Sequence, residues 1–201
     1  MNDFLLEPKE KIEKILNFKN LFKINDNKFN SKKINKIKIL YGNKEINIGD
    51  LFNVIIKENK KDFNVVTIRE TNFFCDFLGY MWKRDKLIIK GDVGSYLGAR
   101  MISGNIIVSG HAENYVGAEM RGGVLFLEKN AGNFVASSLP GKRLGMFGGE
   151  IYIFGDVKNY LCYQMRKGLV YVKGSAKEYT CNEMISGTVI LGSVVGCFFA
   201  K

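Results

Sequence analysis

Short apolar runs separated by polar turns fill the chain from residue 87 onward, and they recur at a fixed step. LII at 87–89 is followed by NIIV at 105–108, VLFL at 124–127, EIYIF at 150–154, LVYV at 169–172 and TVIL at 188–191. Runs this short, rich in β-branched and aliphatic residues and bounded by glycine and polar residues, predict strands. Two more tracks keep the same step. Aromatic residues stand at Phe77, Tyr96, Tyr115, Phe134, Tyr160, Tyr179 and Phe198, at intervals of 19, 19, 19, 26, 19 and 19. Methionines stand at Met101, Met120, Met146, Met165 and Met184, and Gly104, Gly123, Gly149, Gly168 and Gly187 each follow three residues later. Tracks that share a period and lengthen together mark an internal repeat, which takes precedence over local signals.

A 19-residue repeat of strands and turn glycines without a helical period is too short for a propeller blade and lacks the leucine-rich pattern. It predicts a mainly β fold, a right-handed parallel β-helix built as a single-stranded solenoid with 19-residue rungs about 4.8 Å apart. This would occupy residues 71–201. Glycines are expected to supply the positive φ of the turns. The aromatic and methionine tracks are expected to stack as ladders, with Tyr96 beside Tyr115 and Tyr160 beside Tyr179. Residues 1–70 read as a small α/β lead-in. There Ile12, Ile15, Leu16 and Phe22 follow Pro8 near helical spacing, predicting a short amphipathic helix over 8–22. Strand-like pieces run from residue 36 to 69.

Composition narrows the classes. With 46% hydrophobic and 25% charged residues the chain can bury a core. Only Gly42 and Gly49 of its glycines precede residue 77, which supports the division. The net charge of +10 raises nucleic acid as a partner, but residues 1–70 and 71–201 carry +5 each with no basic tract, so none is expected. No apolar run reaches the 18 to 20 or so residues of a membrane span, and the N-terminus lacks a signal-peptide core, so a cytoplasmic location is expected. Cys75, Cys162, Cys181 and Cys197 form no CxxC pair, and the single histidine, His111, has no ligand cluster about it. His111 reads as a turn residue. Cys162 and Cys181 share a repeat position; a disulfide and a reduced small-residue stack are both conceivable, and a reducing compartment favours the stack.

The repeat unit GDVGSYLGARMISGNIIV (91–108) resembles the glycine-rich β-helix shared by the C-type subunit of formylmethanofuran dehydrogenase and the C-terminal domain of glutamate synthase large subunits. The seven-residue extension around LPGKRLGMFGGEI (139–151) and the lead-in GNKEINIGDLFNV (42–54) resemble the dehydrogenase subunit more closely. The resemblance covers residues 40–201. It departs where Cys162 and Cys181 replace the glycines of Gly98 and Gly117, and where Asp85 replaces a repeat glycine. Members of the family continue through further rungs, so a shortened version or a paralogue is expected.

The resemblance implies a non-catalytic scaffold subunit in a one-carbon complex that places carbon dioxide on methanofuran as a formyl group, with neither catalytic, cofactor-binding nor metal-binding residues in this chain. The molybdenum or tungsten pterin, the iron–sulfur clusters and the binuclear metal site would belong to partner subunits. The alternatives are a glutamate synthase-type structural domain and a stand-alone interaction module. A polysaccharide-acting β-helix would need paired carboxylates, but Glu119 and Glu183 lie three repeats apart, on the order of 14 Å, beyond the roughly 5–9.5 Å of catalytic pairs. The turns GDVG and GSAK lack a phosphate-loop lysine pattern. Arg121 and Arg166 follow their methionines directly and read as solvated charge in preference to a contact with a partner's acidic surface. The final segment, 188–201, carries one charged side chain, so Val194, Val195, Phe198 and Phe199 are expected to meet another subunit or a second copy of the chain.

Overall fold

The computed structural model describes residues 2–21, 31–58, 63–83 and 85–195. The repeating runs become strands β8 (Lys86–Gly91), β9 (Asn105–Val108), β10 (Val124–Leu127), β11 (Glu150–Ile153), β12 (Leu169–Ala176) and β13 (Thr188–Val194). Each pairs in parallel with the next, one repeat apart: Leu87, Ile106, Leu125, Ile151, Val170 and Val189 fall in one row. Alternation within each strand buries Ile106 and Val108, then Leu125 and Leu127, and turns their neighbours outward.

The first third of the chain joins the same sheet. Strands β1 (Asn2–Pro8), β5 (Phe52–Glu58) and β6 (Val65–Thr71) complete the order β13-β12-β11-β10-β9-β8-β6-β1-β5. β1 is antiparallel to β5 and parallel to β6. A second, four-stranded sheet runs β4-β3-β2-β7, from Lys44–Asn47, Lys38–Tyr41, Leu16–Asn17 and Cys75–Asp76. Two short helices, α1 (Ser31–Asn35) and α2 (Ile48–Leu51), lie in the same region.

This topology corrects the expected fold. The chain is not a single-stranded parallel β-helix with a separate lead-in: it is mainly β in two sheets, and the nine-stranded one is mixed and open. The 19-residue period accounts for the parallel spacing of β8 to β13, but it starts at residue 77 and contains nothing of the antiparallel β1–β5 pair contributed by the non-repeating segment. The helix expected over 8–22 is also absent from its described residues; Phe22 lies outside them. Ile12, Leu16, Phe18 and Leu21 are buried while Ile15 is 57% exposed. The amides of Leu16 and Phe18 donate to the carbonyls of Phe74 and Asp76, so this segment satisfies its backbone by pairing with β7.

Asp85, which departs from the repeat pattern, joins the two parts. Its carboxylate accepts from the backbone N–H (3.0 Å) and the side-chain amide (3.1 Å) of Asn64. Its carbonyl accepts from the indole of fully buried Trp82 at 2.8 Å. Asn64 Oδ1 in turn accepts from the Asn2 amide. One buried carboxylate thus fixes where β1, β6 and β8 begin.

Candidate functional site

The segments between the strands build regular columns of residues one repeat apart. The aromatic column stacks Phe77 on Tyr96 at 4.4 Å between ring centroids, Tyr96 on Tyr115 at 5.0 Å, and Tyr115 on Phe134 at 5.0 Å. Phe134 on Tyr160 and Tyr160 on Tyr179 follow at 4.7 Å each. The rings are stacked nearly parallel, an arrangement worth about 0.5–1.5 kcal/mol per pair beyond area burial. The methionine and glycine columns interlock. A Cβ on Gly123 would lie 2.6 Å from the Met101 Cε, and Gly149, Gly168 and Gly187 would meet Met120, Met146 and Met165 at 2.7–2.8 Å. The glycine of each repeat leaves the space that the methionine of the preceding repeat fills. Met101, Met120, Met146 and Met165 are fully buried and Met184 partly so.

Glycine carries part of the turn conformation as expected, with Gly104, Gly123, Gly149, Gly168 and Gly187 at φ 86–124°, but side-chain-bearing residues carry the rest. The aromatic residues from Phe77 to Tyr179 all have φ between 58° and 66°. The residues two further on are left-handed too, where Gly98 and Gly117 give way to Ala136, Cys162 and Cys181 at φ 56–62°. Left-handed backbone costs an L-residue about 1–2 kcal/mol. What offsets it is that the turn amides find partners: Tyr96 N–H donates to Asn114 O in the following repeat, while Gly98 N–H donates to Leu78 O in the preceding one. A Cβ at Gly98 would approach Leu125 Cδ1 to 2.7 Å, so only small residues fit this column. Cys162 and Cys181 are therefore space-limited members of it. Burial pushes the Cys162 thiol well above its ordinary value, and Cys162 and Cys181 are both free thiols.

Sequence reading missed a polar column one residue before the aromatics. Asp76 Oδ1 accepts from Ser95 N–H at 2.7 Å, Asn114 from Asn133 at 2.8 Å, Asn133 from Asn159 at 3.1 Å and Asn159 from Glu178 at 3.2 Å. A parallel column passes through the single histidine. Asp92 Oδ1 accepts from His111 N–H at 2.7 Å, His111 Nδ1 from Asn130 N–H at 3.3 Å, Asn130 from Asp156 at 2.9 Å and Asp156 from Ser175 at 2.7 Å. The signal was present, because Asp76, Asn114, Asn133 and Asn159 keep the aromatic spacing. Short polar side chains that bond to neighbouring amides are the residues such turns need. Burial raises the pKa of Asp76, against the Ser95 amide bond that lowers it, whereas the Ser175 amide and hydroxyl lower that of exposed Asp156.

A cleft of about 400 Å³ lies against this second column and is lined in part by Asp92, His111, Glu113, Asn130 and Lys158. His111 is engaged in the turn by both its amide and its Nδ1, as expected of a turn residue. Among the described residues no group of three or more His, Cys, Asp and Glu side chains is placed to hold a metal ion. Glu119 and Glu183 have separate partners: Glu119 Oε2 accepts from Arg100 Nε at 2.8 Å, and Glu183 from Gln164 Nε2 at 2.7 Å. At the far edge of the large sheet, Val194 ends β13 opposite Ala176 and Val195 is 62% exposed; Ile190 of β13 and Ile185 before it are exposed as well. Cys197, Phe198 and Phe199 lie outside the described residues.

No family model matches the chain, and no curated protein matches it. Among solved structures, a chain of the formyltransferase/hydrolase complex FhcABCD from Methylorubrum extorquens, determined with methylofuran, superposes with a TM-score of 0.79. The match covers 96% of this chain and 78% of that one at 20% sequence identity. At that identity the likeness establishes the shared fold. Among the described residues no helix is long and apolar enough to cross a membrane.

Proposed function

We propose that this chain is a non-catalytic scaffold subunit of a multi-subunit complex that handles formyl groups on a furan-type one-carbon carrier. The observation that carries the reading is the fold match over nearly the whole chain to a component of a formyltransferase/hydrolase complex determined with methylofuran. The side-chain columns fit such a role, because their polar groups are spent on neighbouring backbone amides. The finer assignment is the C-type subunit of a formylmethanofuran dehydrogenase, with a molybdenum or tungsten pterin, iron–sulfur clusters and a binuclear metal site on the partners. On this reading the partner contact falls on Val194 and Val195 at the β13 edge, since an open strand edge beside exposed apolar side chains is a template for association, and on Phe198 and Phe199, which follow them in the sequence.

The test is affinity purification of the tagged full chain from its native host. Co-purification of formyltransferase and hydrolase subunits supports the general reading, and further recovery of pterin-containing subunits supports the dehydrogenase. Recovery of a glutamate synthase, or of the chain alone under conditions that preserve other complexes, would refute both. Replacing Val195 by Asp should weaken partner recovery while leaving the thermal midpoint of the isolated chain unchanged.

A further inference from the structure

Where the repeat lengthens from 19 to 26 residues, the extra segment is folded against the turns of its neighbours. Lys142 N–H donates to Leu139 O at 2.9 Å and Gly145 N–H to Gln164 O at 2.9 Å. Arg166 Nη2 donates to the Arg143 carbonyl at 3.1 Å. Leu139 N–H points at Glu119 Oε1, 3.4 Å away. The segment thereby sets Lys142 and Arg143 across from Arg100 and Arg121, around a cleft of about 160 Å³. Its one carboxylate, Glu119, is nearly buried and engaged by Arg100, which also donates to the Tyr80 hydroxyl at 3.3 Å.

That leaves Arg121, Lys142 and Arg143 exposed, with no carboxylate partner among the described residues. The Arg166 Nε beside them is buried with no hydrogen-bond partner. Like charges gathered by an ordered segment raise its energy unless an anion is shared between them. Two apolar side chains complete the cleft: Leu144 is 45% and Phe147 38% exposed.

We infer that this cleft is a docking site for an acidic peptide segment carrying a large apolar residue. Three features select that occupant over a free phosphate. Arg121 follows the methionine of one repeat while Lys142 and Arg143 belong to the lengthened segment, so the unpaired charge is spread around the rim rather than focused at a point. The Glu119 carboxylate at its inner wall repels a compact dianion. Leu144 and Phe147 offer apolar surface that an inorganic ion cannot use. The inference stands on the cleft alone and is independent of which complex the chain joins.

The test is fluorescence anisotropy of the full chain with a fluorescein-labelled peptide of alternating glutamate and phenylalanine, and with the same peptide carrying glutamine for glutamate. The glutamate peptide should bind at low salt and weaken as salt screens it. The combined Arg121→Glu, Lys142→Glu, Arg143→Glu variant should lose at least about tenfold in affinity, as expected for reversal of complementary charge. A milder Arg121→Gln, Lys142→Gln, Arg143→Gln variant keeps the comparison open if charge reversal impairs folding. The Leu144→Ser, Phe147→Ser variant should also bind more weakly. Equal binding of the glutamine peptide, or unchanged affinity in the charge variants, overturns the inference. So does millimolar inorganic phosphate stripping the peptide while the serine variant binds like wild type, which would make the cleft a simple anion site.

Discussion

Tyr115 offers a direct test of how the aromatic column and the left-handed backbone share one position. Its ring is stacked at 5.0 Å on both sides, on Tyr96 and Phe134, and its φ is 64°. Replacement by Ala removes two stacked pairs, about 0.5–1.5 kcal/mol each, together with part of the ring's burial, for a total loss of about 2–4 kcal/mol. The alanine left behind still occupies left-handed backbone. Replacement by Gly removes the same ring but relieves about 1–2 kcal/mol of that strain, while glycine's greater unfolded-state freedom costs about 0.5–1 kcal/mol. At the middle of those ranges the Gly variant should be the more stable of the two by about 0.75 kcal/mol, within a span of about 0–1.5 kcal/mol, the reverse of the order found in helices and strands. Tyr115→Phe should be near neutral, since Phe134 fills an equivalent place. Urea denaturation of the three variants measures the order, and thermal midpoints should follow at about 2–4 °C per kcal/mol for a chain of this size. An alanine variant as stable as the glycine variant would refute the account of the turns as strained backbone held by stacking.

The polar columns yield further expectations. Asp76→Asn keeps the acceptor for Ser95 and matches Asn114 and Asn133, while removing a carboxylate whose pKa is raised chiefly by burial; it should stabilise the chain at neutral pH, whereas Asp76→Ala should lose about 1 kcal/mol in denaturant titration. Because the folded form binds the Asp76 proton more tightly than the unfolded chain, that advantage of the Asn variant should shrink as pH falls through the raised value. Asp156 has the opposite sign. Its pKa is lowered by the Ser175 amide and hydroxyl, so its stabilisation is present above the unfolded carboxylate pKa and is lost as pH falls toward the folded value; Asp156→Asn should flatten the acid limb of a melting-point profile. His111→Asn should preserve the acceptor used by Asn130 and leave stability within about 0.5 kcal/mol, whereas His111→Ala should cost about 1 kcal/mol by calorimetry.

The sequence alone determined whatever depends on the repeat. Side chains one repeat apart meet across parallel strands, so the interval between Tyr96 and Tyr115, or between Met101 and Met120, already contained their spatial relation. The runs that became β8 to β13 were legible for the same reason, since the alternation burying Ile106 and Val108 is local. The polar column through Asn114 and Asn133 was equally periodic, but a single asparagine is common enough in any turn that its role showed only once its acceptor was seen against the next amide.

Tertiary structure decided the remainder. Nothing local in residues 2–8 says that they insert between β5 and β6, because that choice is made by partners some fifty residues away, and it turned an expected solenoid with a lead-in into an open mixed sheet. The helical spacing of Ile12, Ile15 and Leu16 was overridden by pairing with β7, which satisfied the amides of Leu16 and Phe18 while leaving Ile15 in solvent. In the sequence Asp85 is only a departure from the repeat, and its role comes from Asn64, which the fold brings against its carboxylate. The cleft of Arg100, Arg121, Lys142 and Arg143 had no linear signature either, since its charges are scattered through the chain and converge only because the lengthened repeat folds back over its neighbours.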